Sequence, residues 1–167
     1  ANTTAGFSIT KYQGNGSNNQ TVPHALGAVP DFVIVKNLSE AVNWNVKHKD
    51  LTTNKILYLD LTSGQDTASG SQHGHIGDLS SSVTINLTTN ATNYKNVNES
   101  GDDYIMYAWT EISQFSKFGH YVGTGSSTNF IHLGFKPKWF MLKPDANDAW
   151  RMFDIARSPN ANPVNAQ

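Results

Sequence analysis

The sequence contains no cysteine, and this absence excludes disulfide bonds, thiolate metal ligands and a cysteine nucleophile. A secreted animal domain of this size would often carry a disulfide, so the composition favours a microbial or viral source. Charged residues are also scarce: they make up 15% of the 167 residues, and the formal net charge is −1. A chain so close to neutral has no electrostatic reason to bind nucleic acid or an anionic membrane.

Long hydrophobic runs are missing as well. The chain has no apolar run of about eighteen residues, and residues 1–5 lack the basic and apolar parts of a signal peptide. We therefore predict no membrane insertion. What the chain has in abundance is Asn, Thr, Ser and Gly, which favour turns and strands over helix interiors.

Short alternating or apolar runs, separated by turn residues, predict strands. A sustained 3.6-residue apolar stripe with a cap and a stop is not found. We predict an all-β fold, an antiparallel β-sandwich of jelly-roll or lectin-like type, with one short helical turn at most. The β-branched run 31–36 predicts a strand buried on both faces, and the polar stretches 64–77 and 88–101 predict surface loops. The predicted strands are residues 7–12, 31–36, 42–46, 56–61, 83–87 and 103–111.

One pattern occurs twice in the chain. Tyr12-Gln-Gly-Asn-Gly-Ser17 returns as Tyr121-Val-Gly-Thr-Gly-Ser126, and further matches follow in the same order. This agreement predicts an internal duplication. We expect residues 1–114 to form one full sandwich unit and residues 115–167 to begin a second homologous unit, which is truncated or completed elsewhere. The matched pairs include Leu26/Leu133, Gly27/Gly134, Pro30/Pro137, Lys36/Lys143 and Trp44/Trp150.

The glycine-rich stretches do not predict a phosphate loop. Such a loop opens onto a helix whose N-terminus holds the phosphate, and neither copy is followed by a helical pattern. We interpret Gly14-x-Gly16 and Gly123-x-Gly125 as hairpin corners that need positive φ angles.

Catalytic and metal-binding patterns are few. His73-Gly-His75 is the pair from which a metal site on a threefold axis could be built; we predict no metal site and regard these histidines as structural. Asp102 and Asp103 are adjacent, so in a strand they point to opposite faces and cannot straddle one bond. We predict that they close a turn. The chain has no Gly-x-Ser-x-Gly elbow, and we predict no catalytic residues, no cofactor and no enzymatic activity.

Aromatic residues could stack on sugar rings. Trp44 and Trp150 occupy the same place in both copies, which favours a shared core position over a ligand platform. Trp109 and Trp139 lie in apolar strands and are predicted to be core residues. Tyr58, Tyr94 and Tyr107 are freer candidates, and the sequence leaves the ligand-binding residues unknown.

Several motifs in combination resemble a known family. They are Gly-Phe-Ser with Tyr-x-Gly-Asn-Gly near the start, Leu-Gly-x-x-Pro-Asp-Phe-Val-Ile-Val-Lys-Asn37, Asn43-Trp44, His48-Lys49 and Ser100-Gly-Asp-Asp-Tyr-Ile-Met-Tyr-Ala-Trp109. The later Ser116-Lys-Phe-Gly-His-Tyr121 and Asp154-Ile-Ala-Arg-Ser-Pro159 are similar to a second half-signature. The chain resembles a domain of unknown function in tail-fibre and other virion proteins of marine bacteriophages. The resemblance implies a structural or host-recognition role and brings no known catalytic residues.

We therefore expect a virion structural module of a tail fibre or related appendage, outside the cell, that acts in host attachment. Its expected partners are copies of itself or other virion proteins. The alternative is a dedicated carbohydrate-binding module whose polar loops near Gly70 and Asn90 bind host-surface glycans. A third, less favoured class is a capsule-degrading enzyme.

Overall fold

The computed structural model describes residues 1–67, 74–81, 84–88 and 95–156. In this part of the chain the regular structure consists of strands, and no helix is found. The described residues therefore contain no helix that is long and apolar enough to cross a membrane. The strands are β1 (Phe7–Gln13), β2 (Gln20–Pro23), β3 (Phe32–Asn37), β4 (Asn45–His48), β5 (Lys55–Tyr58), β6 (Asp66–Thr67), β7 (His75–Ile76), β8 (Thr84–Thr88), β9 (Asp103–Trp109), β10 (Trp139–Leu142) and β11 (Arg151–Asp154).

The strands form two antiparallel sheets and one separate hairpin. A six-stranded sheet has the order β1-β9-β3-β4-β5-β6, and a three-stranded sheet has the order β2-β8-β7. Strand β9 lies between β1 and β3, with Trp109 opposite both Phe7 and Phe32. Strands β10 and β11 pair with each other.

The two sheets enclose the main hydrophobic core. Alternate residues of the central strands face inward, Val33 and Val35 from β3 and Met106 from β9. They pack against Val22 of β2 and Ile76 of β7, and all five side chains are buried. Full burial of each such side chain stabilises the fold by about 1.5–3 kcal/mol before entropy is subtracted. The predicted all-β antiparallel sandwich is confirmed.

Strand β3 is buried on both faces, as its apolar run predicts. The residues that alternate with the inner set face outward, and a second hydrophobic cluster forms there around Phe32, Ile34, Val46 and Leu57. This outer cluster is covered by residues from the C-terminal third of the chain, namely Phe118, Met141 and Trp150.

Parts of the strand and loop predictions need correction. Strand β2 was not predicted because Val22 is the one apolar side chain among Gln20, Thr21 and Pro23, which is too little for a visible alternation. Strands β6 and β7 lie inside the predicted loop 64–77, and each has only two residues. Residues 96–98, predicted to be part of a surface loop, are buried.

The β3–β4 pair and the β10–β11 pair, called here the early hairpin and the late hairpin, have the same register. Phe32 lies opposite His48 in the early hairpin, and Trp139 lies opposite Asp154 in the late one. These are the positions that the sequence repeat aligns. Matched glycines also share positive φ angles: 67° at Gly16 and Gly125, and 74° and 82° at Gly27 and Gly134. The division into units at residue 114 stays a prediction.

Candidate functional site

The glycine corner at residues 14–17 uses its backbone N–H groups internally. Gly14 N donates to Asp102 O at 2.9 Å, and Gly16 N donates to Asn98 O at 3.0 Å. Asn15 N donates to the Asn98 side chain at 2.9 Å, and Ser17 N to the Asn15 side chain at 2.9 Å. A phosphate would need these donors, and they are already bonded. The predicted hairpin corner is wrong, since β1 and β2 belong to different sheets and the corner carries the chain from one sheet to the other. The predicted positive φ angles are found at Gly16 and Gly125 but not at Gly14 and Gly123.

A polar cluster lies between the sheets at the β4–β5 end, and we call it the inner polar cluster. Its centre is Lys47, whose side chain is 2% exposed. The Lys47 ammonium donates to Asp78 Oδ1 at 2.8 Å, Lys55 O at 3.0 Å and Thr52 O at 3.3 Å. Because an ammonium has three donors, every proton of Lys47 is used. Lys47 therefore fastens the β4–β5 turn to the segment after β7 and is not available as a nucleophile.

Asp78 is the charged partner that reaches solvent, with its side chain 48% exposed. The hydrogen bond from Lys47 lowers the pKa of Asp78, and the nearby His75 contributes in the same direction. His75 itself lies in β7, opposite Thr88 and 4% exposed. His73 lies outside the described residues. In the described part of the chain, no three His, Cys, Asp or Glu side chains are arranged to hold a metal ion; the threefold-axis metal site was not expected, and its absence stays a prediction.

Asn45 is the unusual member of the inner polar cluster. It lies two residues before Lys47 on the same face of β4, opposite Tyr58 of β5. Its side chain is fully buried, and neither its amide nitrogen nor its amide oxygen has a hydrogen-bond partner. A buried amide without partners costs about 1–3 kcal/mol.

Tyr58 completes the cluster toward the edge of the sheet. Burial raises the pKa of Tyr58 to about 12, and a hydrogen bond with Asp66 adds to the effect. Tyr58 was predicted to be a freer, ligand-facing residue, which is wrong because its side chain is 4% exposed. Tyr107 packs against the outer cluster, and Tyr94 lies outside the described residues.

The adjacent carboxylates have separate structural partners. Asp102 accepts a hydrogen bond from Asn37 Nδ2 at 2.8 Å, whereas Asp103 pairs with Lys11 at 2.8 Å. Asp102 N also donates to Glu99 O at 3.2 Å, which closes the turn at Gly101. The two carboxylates thus point to different neighbours, as adjacent residues at a strand start should.

The late hairpin packs on the outer cluster and is also hydrogen-bonded to the chain around β5. Four hydrogen bonds attach the tip of the late hairpin to residues 58–65. Trp150 Nε1 donates to Tyr58 O at 2.8 Å and Lys143 Nζ donates to Thr62 O at 3.2 Å. Gly64 N donates to Asn147 Oδ1 at 2.8 Å and Gln65 N to Asp145 O at 3.2 Å.

Each hairpin is closed by the same kind of lysine. Lys36 donates to Val42 O at 2.7 Å and to Glu40 O at 3.4 Å. Its counterpart Lys143 donates to Asp148 O at 2.7 Å and to Ala146 O at 3.4 Å. In both hairpins the lysine ammonium holds the loop, which is one residue shorter in the late hairpin. Trp44 and Trp150 each lie two residues after the carbonyl that the lysine binds most closely.

One of these matching hairpins lies in each half of the sequence, and a single family model covers both. The model for the Domain of unknown function (DUF7483) matches residues 1–167. The chain belongs to the DUF7483 family. Neither a curated protein nor a solved structure matches it.

The tryptophans of this DUF7483 chain differ in their exposure. Trp44 and Trp150 are partly buried against the outer cluster, which agrees with the predicted shared position. Trp139 was predicted to be a core residue, and this is wrong because it is 53% exposed. Other large apolar side chains near it in the sequence are also exposed: Tyr121, Val122, Phe130 and Ile131.

Sequence reasoning missed the inner polar cluster. Its members lie far apart in the chain, and Asn45 and Lys47 read as solvent-facing residues that alternate with Val46. That alternation is misleading because the late hairpin covers the Val46 face, and both faces of β4 are therefore interior.

Proposed function

We propose that the chain is a structural module of a bacteriophage virion, part of a tail fibre or related appendage, and that it acts in host-surface attachment without enzymatic activity. The observation that supports this proposal is the contact between the hairpins. One sheet is apolar on both faces, and a second copy of its own hairpin pattern covers the outer face. Contact between like modules is what an appendage built from repeated units requires.

The side chains and backbone groups that were considered for catalysis or phosphate binding are hydrogen-bonded within the chain, which fits a structural role. Lys47 fastens a turn, Asp102 and Asp103 bond to different neighbours, and the glycine corner bonds to residues 98 and 102. A rigid module that works outside the cell gains from such internally satisfied hydrogen bonds.

The proposal is tested on virions of the phage that encodes the chain. Mass spectrometry of purified particles should detect the chain, and antibody against it should label an appendage in electron micrographs. The purified chain, added in excess, should slow phage adsorption to host cells several-fold, whereas a heat-denatured sample should not. Absence of the chain from purified particles would refute the proposal.

A carbohydrate-binding module is the second candidate, and the exposed Trp139 ring is the observation that favours it. An exposed indole can stack on a sugar face. Glycan-array binding that is lost in Trp139→Ala and kept in a variant at an exposed polar site would support this candidate. Release of reducing ends from host capsule would instead indicate the enzyme class.

A further inference from the structure

Strand β10 has an edge with no partner among the described residues. Its equivalent in the early hairpin, β3, pairs with β4 on one side and with β9 on the other. In the described chain, β10 pairs with β11 alone. Its four residues, Trp139–Leu142, therefore present a row of backbone N–H and C=O groups on the opposite side.

Two aromatic residues of the later copy are exposed where their counterparts in the earlier copy are covered. Trp139 is 53% exposed, whereas its counterpart Phe32 is 7% exposed because Trp109 of β9 and Phe118 pack on it. Tyr121 is 47% exposed, whereas its counterpart Tyr12 stacks on Tyr104 of β9 at 5.1 Å between ring centroids. In both comparisons, a residue of β9 provides the cover that the later copy lacks.

Within the strand itself this edge carries none of the charges, prolines or bulges that discourage strand addition, and Lys138 and Lys143 flank its two ends. Natural edge strands carry inward charges, prolines or bulges. The sequence Trp-Phe-Met-Leu of β10 contains no charge and no proline, and all four residues pair regularly with β11. The edge of β10 can therefore pair with an added strand.

We propose that the free edge of β10 binds an extended peptide segment with the alternating pattern of β9, added as an antiparallel strand. The register follows from the early hairpin. The segment's residue equivalent to Trp109 would lie opposite Trp139, that equivalent to Ala108 opposite Phe140, and that equivalent to Met106 opposite Leu142. A small residue opposite Phe140 leaves room for its ring, which already stacks on Phe153 at 4.7 Å. This inference rests on strand geometry and not on the proposed role in attachment.

The test uses the whole chain and a fluorescent peptide of residues 102–111. Anisotropy should show saturable binding, and a peptide with proline in place of Tyr107 should bind at least tenfold more weakly because it lacks a ladder N–H. Hydrogen exchange should slow at residues 139–142 when peptide is bound. No binding, or protection confined to β1 or β6, would overturn the proposal.

The absence of cysteine allows the register to be measured directly. In Trp139→Cys, an oxidised mixture with a peptide carrying cysteine at the Trp109 position should give a mixed disulfide. A peptide with cysteine at the Ile105 position should give several-fold less. Equal yields from both peptides would overturn the register, and a chain that dimerises through β10 and excludes the peptide would overturn the occupant.

Discussion

Gly14→Ala tests whether the glycine corner is a packing device. A Cβ at residue 14 would lie 2.9 Å from Glu99 C and 3.0 Å from Asn98 C, and closer still to the Glu99 carbonyl oxygen. All three atoms belong to the backbone, so no side-chain rotation relieves the contact. Overpacking of this kind costs about 1–3 kcal/mol. The shift would also strain the bonds from Gly14 N to Asp102 O and from Gly101 N to Gly14 O, which adds about 1 kcal/mol.

The repeat supplies a matched control for this substitution. Gly123 is the counterpart of Gly14, and a Cβ there meets no atom within 4 Å. We expect Gly14→Ala to lower the free energy of unfolding by about 2–4 kcal/mol, and Gly123→Ala to leave it unchanged or raise it by up to about 1 kcal/mol. Urea unfolding followed by tryptophan fluorescence should show the first midpoint falling by about 1–2 M. A Gly14→Ala midpoint within about 0.3 M of the parent chain, or an equal loss in both variants, would show that the Glu99 backbone does not restrict the side chain at residue 14.

Three further results are expected. Burial lowers the pKa of His24 and His48, so these residues bind protons at a higher pH in the unfolded chain than in the folded chain. The free energy of unfolding should therefore fall as the pH drops below about 6.5, before the carboxylates titrate; urea midpoints that are equal at pH 7.5 and pH 5.5 would contradict this. Gly64→Ala should detach the late hairpin, because a Cβ there would press on the Asp145 backbone, and hydrogen exchange should quicken at residues 139–154 while β9 stays protected; unchanged exchange would argue against the contact. Tyr58 should ionise near pH 12, so absorbance at about 295 nm should show a late tyrosine signal. Tyr58→Phe should reduce this signal without abolishing it, because burial also raises the pKa of Tyr12 and Tyr104; a late signal of unchanged size in the variant would count against burial of Tyr58.

Much of the sandwich follows from local pattern. The β-branched run of β3 and the alternation of β1, β8 and β9 predict strands without knowledge of their partners. The repeat also predicted which residues of the late hairpin would match those of the early one. These features depend on residues that are close together in the chain, so they can be predicted from the sequence without knowing the tertiary contacts.

The candidate site could not be predicted in the same way. Lys47 is buried because Thr52, Lys55 and Asp78 surround its ammonium, and only the folded chain brings Asp78 to it. Tyr58 is buried because β5 lies within the sheet, with Trp150 bonded to its carbonyl. Trp139 differs in the opposite direction, because it is exposed although its strand is apolar. No described strand pairs with the other edge of β10.

The position of the six-stranded sheet explains these errors together. It lies between the three-stranded sheet on its inner face and the late hairpin on its outer face. In a two-layer sandwich, polar residues that alternate with apolar ones face water, so the pattern of β4 alone indicates that Val46 faces inward and Lys47 outward. The late hairpin instead covers the Val46 face, and Lys47 lies opposite Val33 on the face between the two sheets, where its buried charge must be paired. The face that the late hairpin covers contains Ile34 and Trp44, and the face that covers it contains their counterparts Met141 and Trp150. Like surfaces therefore meet across this contact, and the apolar pattern that builds one hairpin also provides the adhesive face for the other.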